Sequence, residues 1–383
     1  MKLKSTLALA ALALAASTTF AQTQGVSKNE IVIGSIQDLS GPLAALGKQV
    51  RYGMQLRVDE LNEQSGGIHG RKIKLLIEDS QYDPKKAVLA AQKLVNQDKI
   101  FAMVAHIGTT NNLAAMPIQF AKNVPNLNPI TASKEMYEPF HKLKFAFSAS
   151  YFDQMRVFAP KVAKEKGAKK VCTLYQDDDF GAEVMQGAEA GLKTIGMTLA
   201  EKTTYKTGAT DFSSQVARLK AAECDMVILG TVLRETIGTI GTARRTGYNP
   251  TFLGSSAVYF DLVHKLGGKA MDGLYATMTV QNPYVDSASQ PLRFWATKYQ
   301  TKFNEEPAVF SVYGYSAIDN FITAANAAGP NLSTDSFIKA METVKFPADM
   351  FGSPEVKFGP TKRQGSDLAR LSQIVDSRWK VLN

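Results

Sequence analysis

Histidine, cysteine and tryptophan are scarce, at four, two and two in 383 residues. That scarcity limits metal and nucleophile chemistry. His69, His106, His141 and His264 stand far apart without the short spacings of a metal site, and the chain has no G-x-S-x-G elbow, no P-loop and no H-E-x-x-H. Gly187 and Gly191 fall inside a helical pattern, away from any strand end, so they cradle no phosphate. The acidic triplet at 177–179 reads as a solvated run capping the helix that follows. No metal, no cofactor and no catalytic residue is expected.

Long apolar runs are missing as well. LALAALALAA falls far short of the roughly 20 residues that a bilayer span needs. It follows Lys2 and Lys4 and runs on to Thr19-Phe20-Ala21, which is charged start, apolar core and small-residue cut site in the order of a secretory signal. Cleavage after Ala21 and export to the periplasm are expected, without a lipid anchor because no cysteine borders the cut. The charge balance, +9 overall, is only mildly basic. Basic residues are scattered among acids, with KEKGAKK the densest cluster and no aromatic interleaving, which excludes a nucleic-acid surface.

What the chain has is size and alternation. Its length exceeds what one hydrophobic core serves, so two lobes are expected. IVIGSI (31–36), a helical pattern at 48–64, IKLLIED (73–79), a second helix at 84–96, IFAMVA (100–105) and a third helix at 113–122 make a βαβαβα series. The series then restarts with KVCTLYQ (170–176), a helix at 182–195, MTLAEKTTY (197–205), a helix at 212–222 and DMVILG (225–230). Fold class is therefore α/β, with two doubly wound parallel-sheet lobes. GLYATMT (273–279) and helices at 291–302 and 315–327 fit neither series by pattern alone. Cys172 and Cys224 sit in or beside the first and third strands of the second series. Mid-strand cysteines often just pack, so two buried thiols are the expected state, and export leaves a disulfide as the alternative.

Open parallel sheets bind ligands beyond the carboxyl ends of their strands. There the sequence turns polar: QDLSGP after the first strand, HIGTTNN after the third, TAS after NLNPI, DDDFG and GTV in the second series. HIGTTNN combines a glycine, two hydroxyls and two amides with a helix start. Unpaired N–H groups and partial positive charge at such a start suit a carboxylate without any lysine or arginine. The plainer alternative is that Thr109 and Asn111 only cap the helix.

The run SGPLAALG, then GGIHGRKIKLLIEDSQYDPKKAVLAAQKLV, then GTTNN, DDDFGAE and DFSSQVARLKAAECDMVILG, resembles the periplasmic Leu/Ile/Val-binding proteins of ABC importers over nearly the whole mature chain. The resemblance implies a type I periplasmic-binding fold, two lobes joined by three crossovers that close over a ligand. It places lobe one at 22–149 plus 277–351 and lobe two at 150–276 plus 352–383. It also implies a small-molecule ligand, an inner-membrane ABC permease as partner, and a monomer.

By the same resemblance, Thr109 supplies a carboxylate-binding hydroxyl, Thr131 a carbonyl facing the ligand and Ser133 a second hydroxyl, if one residue is inserted before Thr131. Phe180 and Phe310 stand where the family has pocket aromatics. Leu46 replaces a stacking aromatic and Val232 a tyrosine. Ser256 in GSSAV falls where the amino-acid binders carry a glutamate for the ligand's ammonium. A buried ammonium without a carboxylate costs several kcal/mol. The departure favours amine-free acids unless Asp38, Asp177 or Glu235 supplies the charge. The expected function is solute capture for an ABC importer, with a ligand sensor of the same fold or a periplasmic hydrolase as alternatives.

Overall fold

A computed structural model describes residues 23–382. The expected leader lies outside these residues. The first lobe opens with β1 (Glu30–Gln37), α1 (Ala44–Gln64), β2 (Lys72–Asp79), α2 (Pro84–Gln92), β3 (Ala102–Val104), α3 (Thr109–Ala121), β4 (Asn126–Leu127) and β5 (Lys144–Phe145). Its sheet is parallel throughout, in the order β2-β1-β3-β4-β5. The second lobe follows with α4 (Tyr151–Lys166), β6 (Val171–Gln176), α5 (Asp179–Lys193), β7 (Leu199–Tyr205), α6 (Ser213–Ala221), β8 (Met226–Gly230), α7 (Leu233–Arg245), β9 (Thr251–Gly254), α8 (Asp261–Gly267) and β10 (Tyr275–Met278).

The chain then returns to the first lobe with α9 (Gln290–Phe303), α10 (Val309–Ala327) and α11 (Thr334–Thr343). Helix α10 lies so close to α1 that only glycine fits the crossing. A Cβ on Gly53 would sit 1.9 Å from the Ser311 carbonyl oxygen, and one on Gly314 would sit 2.1 Å from that of Val50. Short β11 (Lys345–Phe346) and β12 (Val356–Lys357) pair with each other. Residues up to 365 stay beside the first sheet, where Ala146 and Gly365 exchange backbone bonds with their neighbours and Phe358 packs edge-on against Phe145. The hairpin of β13 (Arg370–Val375) and β14 (Arg378–Val381) then completes a seven-stranded sheet, in the order β14-β13-β10-β9-β8-β6-β7. The stretch 273–279, unassigned by pattern, is thus the strand to which this hairpin adds antiparallel.

Two local features differ from the sequence reading. Helix α3 starts at Thr109, not at 113, so GTTNN is its first turn rather than a loop before it. Cys172 and Cys224 form a disulfide, with Cα atoms 5.9 Å apart, where two thiols were expected. The reason is register. Strands β6 and β8 are hydrogen-bonded neighbours with Cys172 opposite Val227, and Cys224 follows the left-handed residue Glu223 (φ 56°), two residues before β8 begins.

In each lobe the two central strands send their helices to opposite sides, β1 and β3 in the first, β6 and β8 in the second. The loops after these four strands face one another across a cleft, as the doubly wound topology requires of a ligand site.

Candidate functional site

Two adjoining cavities lie in this cleft and share Ile130, Thr131, Tyr151, Ala257 and Phe310. Leu43, Leu46, Tyr82, Ile107, Gly108, Thr109, Phe180 and Val232 complete the first. Ala132, Phe147, Ser148, Ser256, Thr279 and Tyr313 complete the second. Of the expected site residues, Leu46, Thr109, Thr131, Phe180, Val232, Ser256 and Phe310 meet at these walls; Ser133 does not. No aspartate, glutamate, lysine, arginine or histidine lines either cavity. The mostly apolar lining with a few convergent hydroxyls suits a small organic molecule.

The polar end is built by α3. Its N-cap is Gly108, and no side chain caps the first turn. Asn111 donates instead to the Ser80 hydroxyl (3.2 Å), and Asn112 donates to the carbonyls of His106 and Gly108 (2.8 Å each). The amides therefore brace the loop, and the bare capping role does not hold. The Thr109 and Thr131 hydroxyls lie 2.6 Å apart at the cavity wall, beside helix N–H groups that suit an anion. This loop and the one after β2 are held in unusual shapes: Gly108 has φ 91° and Ala105 φ 55° in the first, Tyr82 φ 57° in the second. A Cβ on Gly108 would come 2.8 Å from the Tyr82 ring, so glycine here lets that ring cover the cleft.

Aromatic rings make up much of the remaining lining. Phe180, second residue of α5, meets Tyr151 edge-on at 5.0 Å, and Phe310 meets both Phe260 and Tyr313 edge-on at 5.7 Å. Burial pushes the Tyr151 phenol up to about 12, so it stays a neutral donor beside Thr131.

Ser256 is already engaged. Gln154 donates to its hydroxyl (3.1 Å) and accepts from its amide (2.9 Å), while the same Gln154 oxygen accepts from Thr277 (2.6 Å). Ser133 opens a short 3₁₀ turn and donates to Glu135, which turns its hydroxyl away from the cavities.

Each acid weighed as an ammonium partner has another setting. Asp38 accepts from the Gly41 (2.5 Å) and Leu43 (2.6 Å) amides and so fixes the loop that delivers Leu43 and Leu46; burial raises its pKa. Asp177 pairs with Lys206 at the surface. Glu235 is buried in the first turn of α7 with Oε2 unpartnered by protein, and burial raises its pKa. Asp178 caps α5 through the Gly181 amide (3.1 Å) and accepts from Gln176 (2.5 Å) and, across the cleft, from Thr110 (3.5 Å).

Tyr82 and Tyr151 were not singled out from sequence. Tyr82 had a signal, since it precedes the helix-capping Asp83 in YDPKKA directly after β2. Tyr151 had none, because it opens α4 beyond a crossover rather than following a strand.

A family profile described as periplasmic binding protein matches residues 30–378. Leu/Ile/Val-binding protein homolog 8 of Brucella suis is 25% identical over 374 residues, covering 94% of this chain and 91% of its own. A fatty acid ABC transporter substrate-binding protein from Thermomonospora curvata superposes with TM-score 0.85 at 22% identity, over 94% of this chain and 93% of its own. An ABC-transporter solute-binding protein from R. palustris, in complex with benzoate, superposes with TM-score 0.82 at 18% identity, over 92% and 96%.

Proposed function

The chain belongs to the periplasmic binding protein family, and from that premise we propose that it captures a small amine-free carboxylic acid, aromatic or short aliphatic, for delivery to an inner-membrane ABC permease. The carrying observation is the uncharged lining of both cavities, with a neutral Ser256, hydrogen-bonded to Gln154, where an ammonium would need a carboxylate. Thr109, Thr131 and the first turn of α3 offer hydrogen-bond donors to the acid's head group, and Leu46, Phe180, Val232 and Phe310 enclose its apolar body. The R. palustris protein bound to benzoate and the T. curvata protein named for fatty acids give precedents for amine-free carboxylates on this fold. The chain works as a periplasmic monomer in this reading. A ligand touching both lobes favours the closed arrangement by its extra contacts there.

A branched-chain amino acid is the second reading, supported by the name of the Brucella suis relative and by the unpartnered Oε2 of Glu235. Mass spectrometry of small molecules released on denaturation, followed by a thermal-shift screen of amino acids and organic acids, tests the two. Recovery of an amine-free acid, chemically unaltered after incubation, is expected. Recovery of leucine, isoleucine or valine favours the second reading, and a converted ligand contradicts both.

A further inference from the structure

Glu183 on α5 lies in the second lobe and is 3% exposed, yet it forms no part of the cavity walls. Its Oε1 accepts two amides, that of Lys134 at 3.0 Å and that of Phe152 at 3.3 Å. Lys134 belongs to the first lobe, in the connection between β4 and β5, three residues past Thr131. Phe152 belongs to α4 in the second lobe and follows Tyr151, whose own amide donates to the Ala132 carbonyl at 2.7 Å. One carboxylate oxygen thus ties the two lobes together immediately beside the cavity. The other, Oε2, is buried without a protein partner.

We propose that Glu183 is an interlobe latch: closure of the cleft seats its carboxyl between Lys134 and Phe152 and takes up a proton there. Opening the lobes would part Lys134 from α5 and return the carboxyl to water. The unpartnered Oε2 is the atom available to carry the proton. Burial, and after it the neighbouring Glu135, push this carboxyl up to about 7 in this structure, against the opposing pull of the two amides.

The groups around it supply no compensating cation. From the 134–136 turn come Glu135, a like charge, and Lys134, whose ammonium lies over the Phe152 ring at 5.5 Å. Tyr137 follows that turn, and α4 contributes Tyr151. Asp153 of α4 is paired with Arg156 and bonded to Ser150. A group that binds its proton more tightly closed than open makes closure easier as pH falls. The closed-to-open ratio should rise on the order of tenfold or more between pH 8.5 and 5.5.

Electron–electron distance measurements test this on the full chain without ligand. Nitroxides at Lys85→Cys and Lys193→Cys, one on each lobe, report the lobe separation, and the native cysteines are already paired. The short-distance population is expected to grow at pH 5.5 in the wild-type background, and Glu183→Gln is expected to abolish that dependence. Glu135→Gln removes the like charge and is expected to move the midpoint to lower pH, which serves where Glu183→Gln does not fold. A pH-independent distance in the wild-type background overturns the proposal. So does an unaltered profile in Glu183→Gln, or an unmoved midpoint in Glu135→Gln. No ligand enters the experiment, so its outcome is separate from whether the cavity takes an amine-free acid.

Discussion

Thr109 and Thr131 place their hydroxyl oxygens 2.6 Å apart at the cavity wall, one from the first turn of α3 and the other from the loop after β4. Neither can face apolar surroundings without a partner, and each currently has the other. A carboxylate arriving at α3 would take donors from both and from the uncapped amides.

Thr109→Val keeps the side chain's shape and removes its donor. A hydrogen bond to a charged group is worth roughly 1.5–3 kcal/mol, so the acid that the wild type binds in a thermal-shift panel should lose roughly 10- to 100-fold in affinity. Calorimetry with that acid reads the loss. Unchanged affinity would place the head group elsewhere.

Gly108→Ala should destabilise the fold. The position has φ 91°, and the new methyl would lie 2.8 Å from the Tyr82 ring. Left-handed backbone and the clash together should cost about 1–3 kcal/mol in urea unfolding. Combining it with Tyr82→Ala should recover the steric part only. Full recovery in the double variant would show that the backbone carries no strain here.

His106 and Glu183 should drive stability in opposite directions on the acid side. His106 is fully buried with neither ring nitrogen partnered by protein, and burial holds it down at about 3. The unfolded imidazole takes a proton near pH 6.5, so stability is lost as pH falls below that, by up to about 1.4 kcal/mol per unit. Glu183, raised to about 7, contributes stability that is present at low pH and lost as pH rises from the ordinary carboxyl range through 7. Urea midpoints at pH 7, 6 and 5 should fall less steeply in His106→Gln and more steeply in Glu183→Gln. Parallel curves for all three proteins would contradict both assignments.

The disulfide gives a simpler check. Unreduced, denatured protein should titrate no free thiol, and reduction should release two. The bond spans 52 residues of sequence, so Cys172→Ala with Cys224→Ala should lower stability by about 2–4 kcal/mol in chemical unfolding. Two reactive thiols before reduction would restore the packed-cysteine reading.

Much of the architecture was legible because parallel strands buried on both faces write themselves as short β-branched runs, and their ends are marked by glycine and hydroxyl residues. IVIGSI, IFAMVA and DMVILG are examples, and the polar stretches after them reach the cleft. What stayed hidden depends on contacts distant in sequence. The 273–279 strand gains its meaning only when the hairpin at 370–381 adds to it. Gln154, which occupies Ser256 and Thr277, lies more than a hundred residues from either and carries no local motif. Ser133 looked available as a hydroxyl two residues from Thr131, but spacing cannot register that Glu135 claims it. The cysteine pairing turned on register and one left-handed residue, neither of which periodicity encodes.

L-leucine and 4-methylpentanoate share one carbon skeleton and one carboxylate and differ only by the ammonium, so calorimetric titration of the wild-type chain with each isolates the claim that the cleft has no place for an amine. The uncharged lining and the neutral Ser256 predict that 4-methylpentanoate binds at least tenfold more tightly than leucine. Leucine binding the more tightly of the two would contradict the account and shift attention to Glu235 as the buried partner of an ammonium.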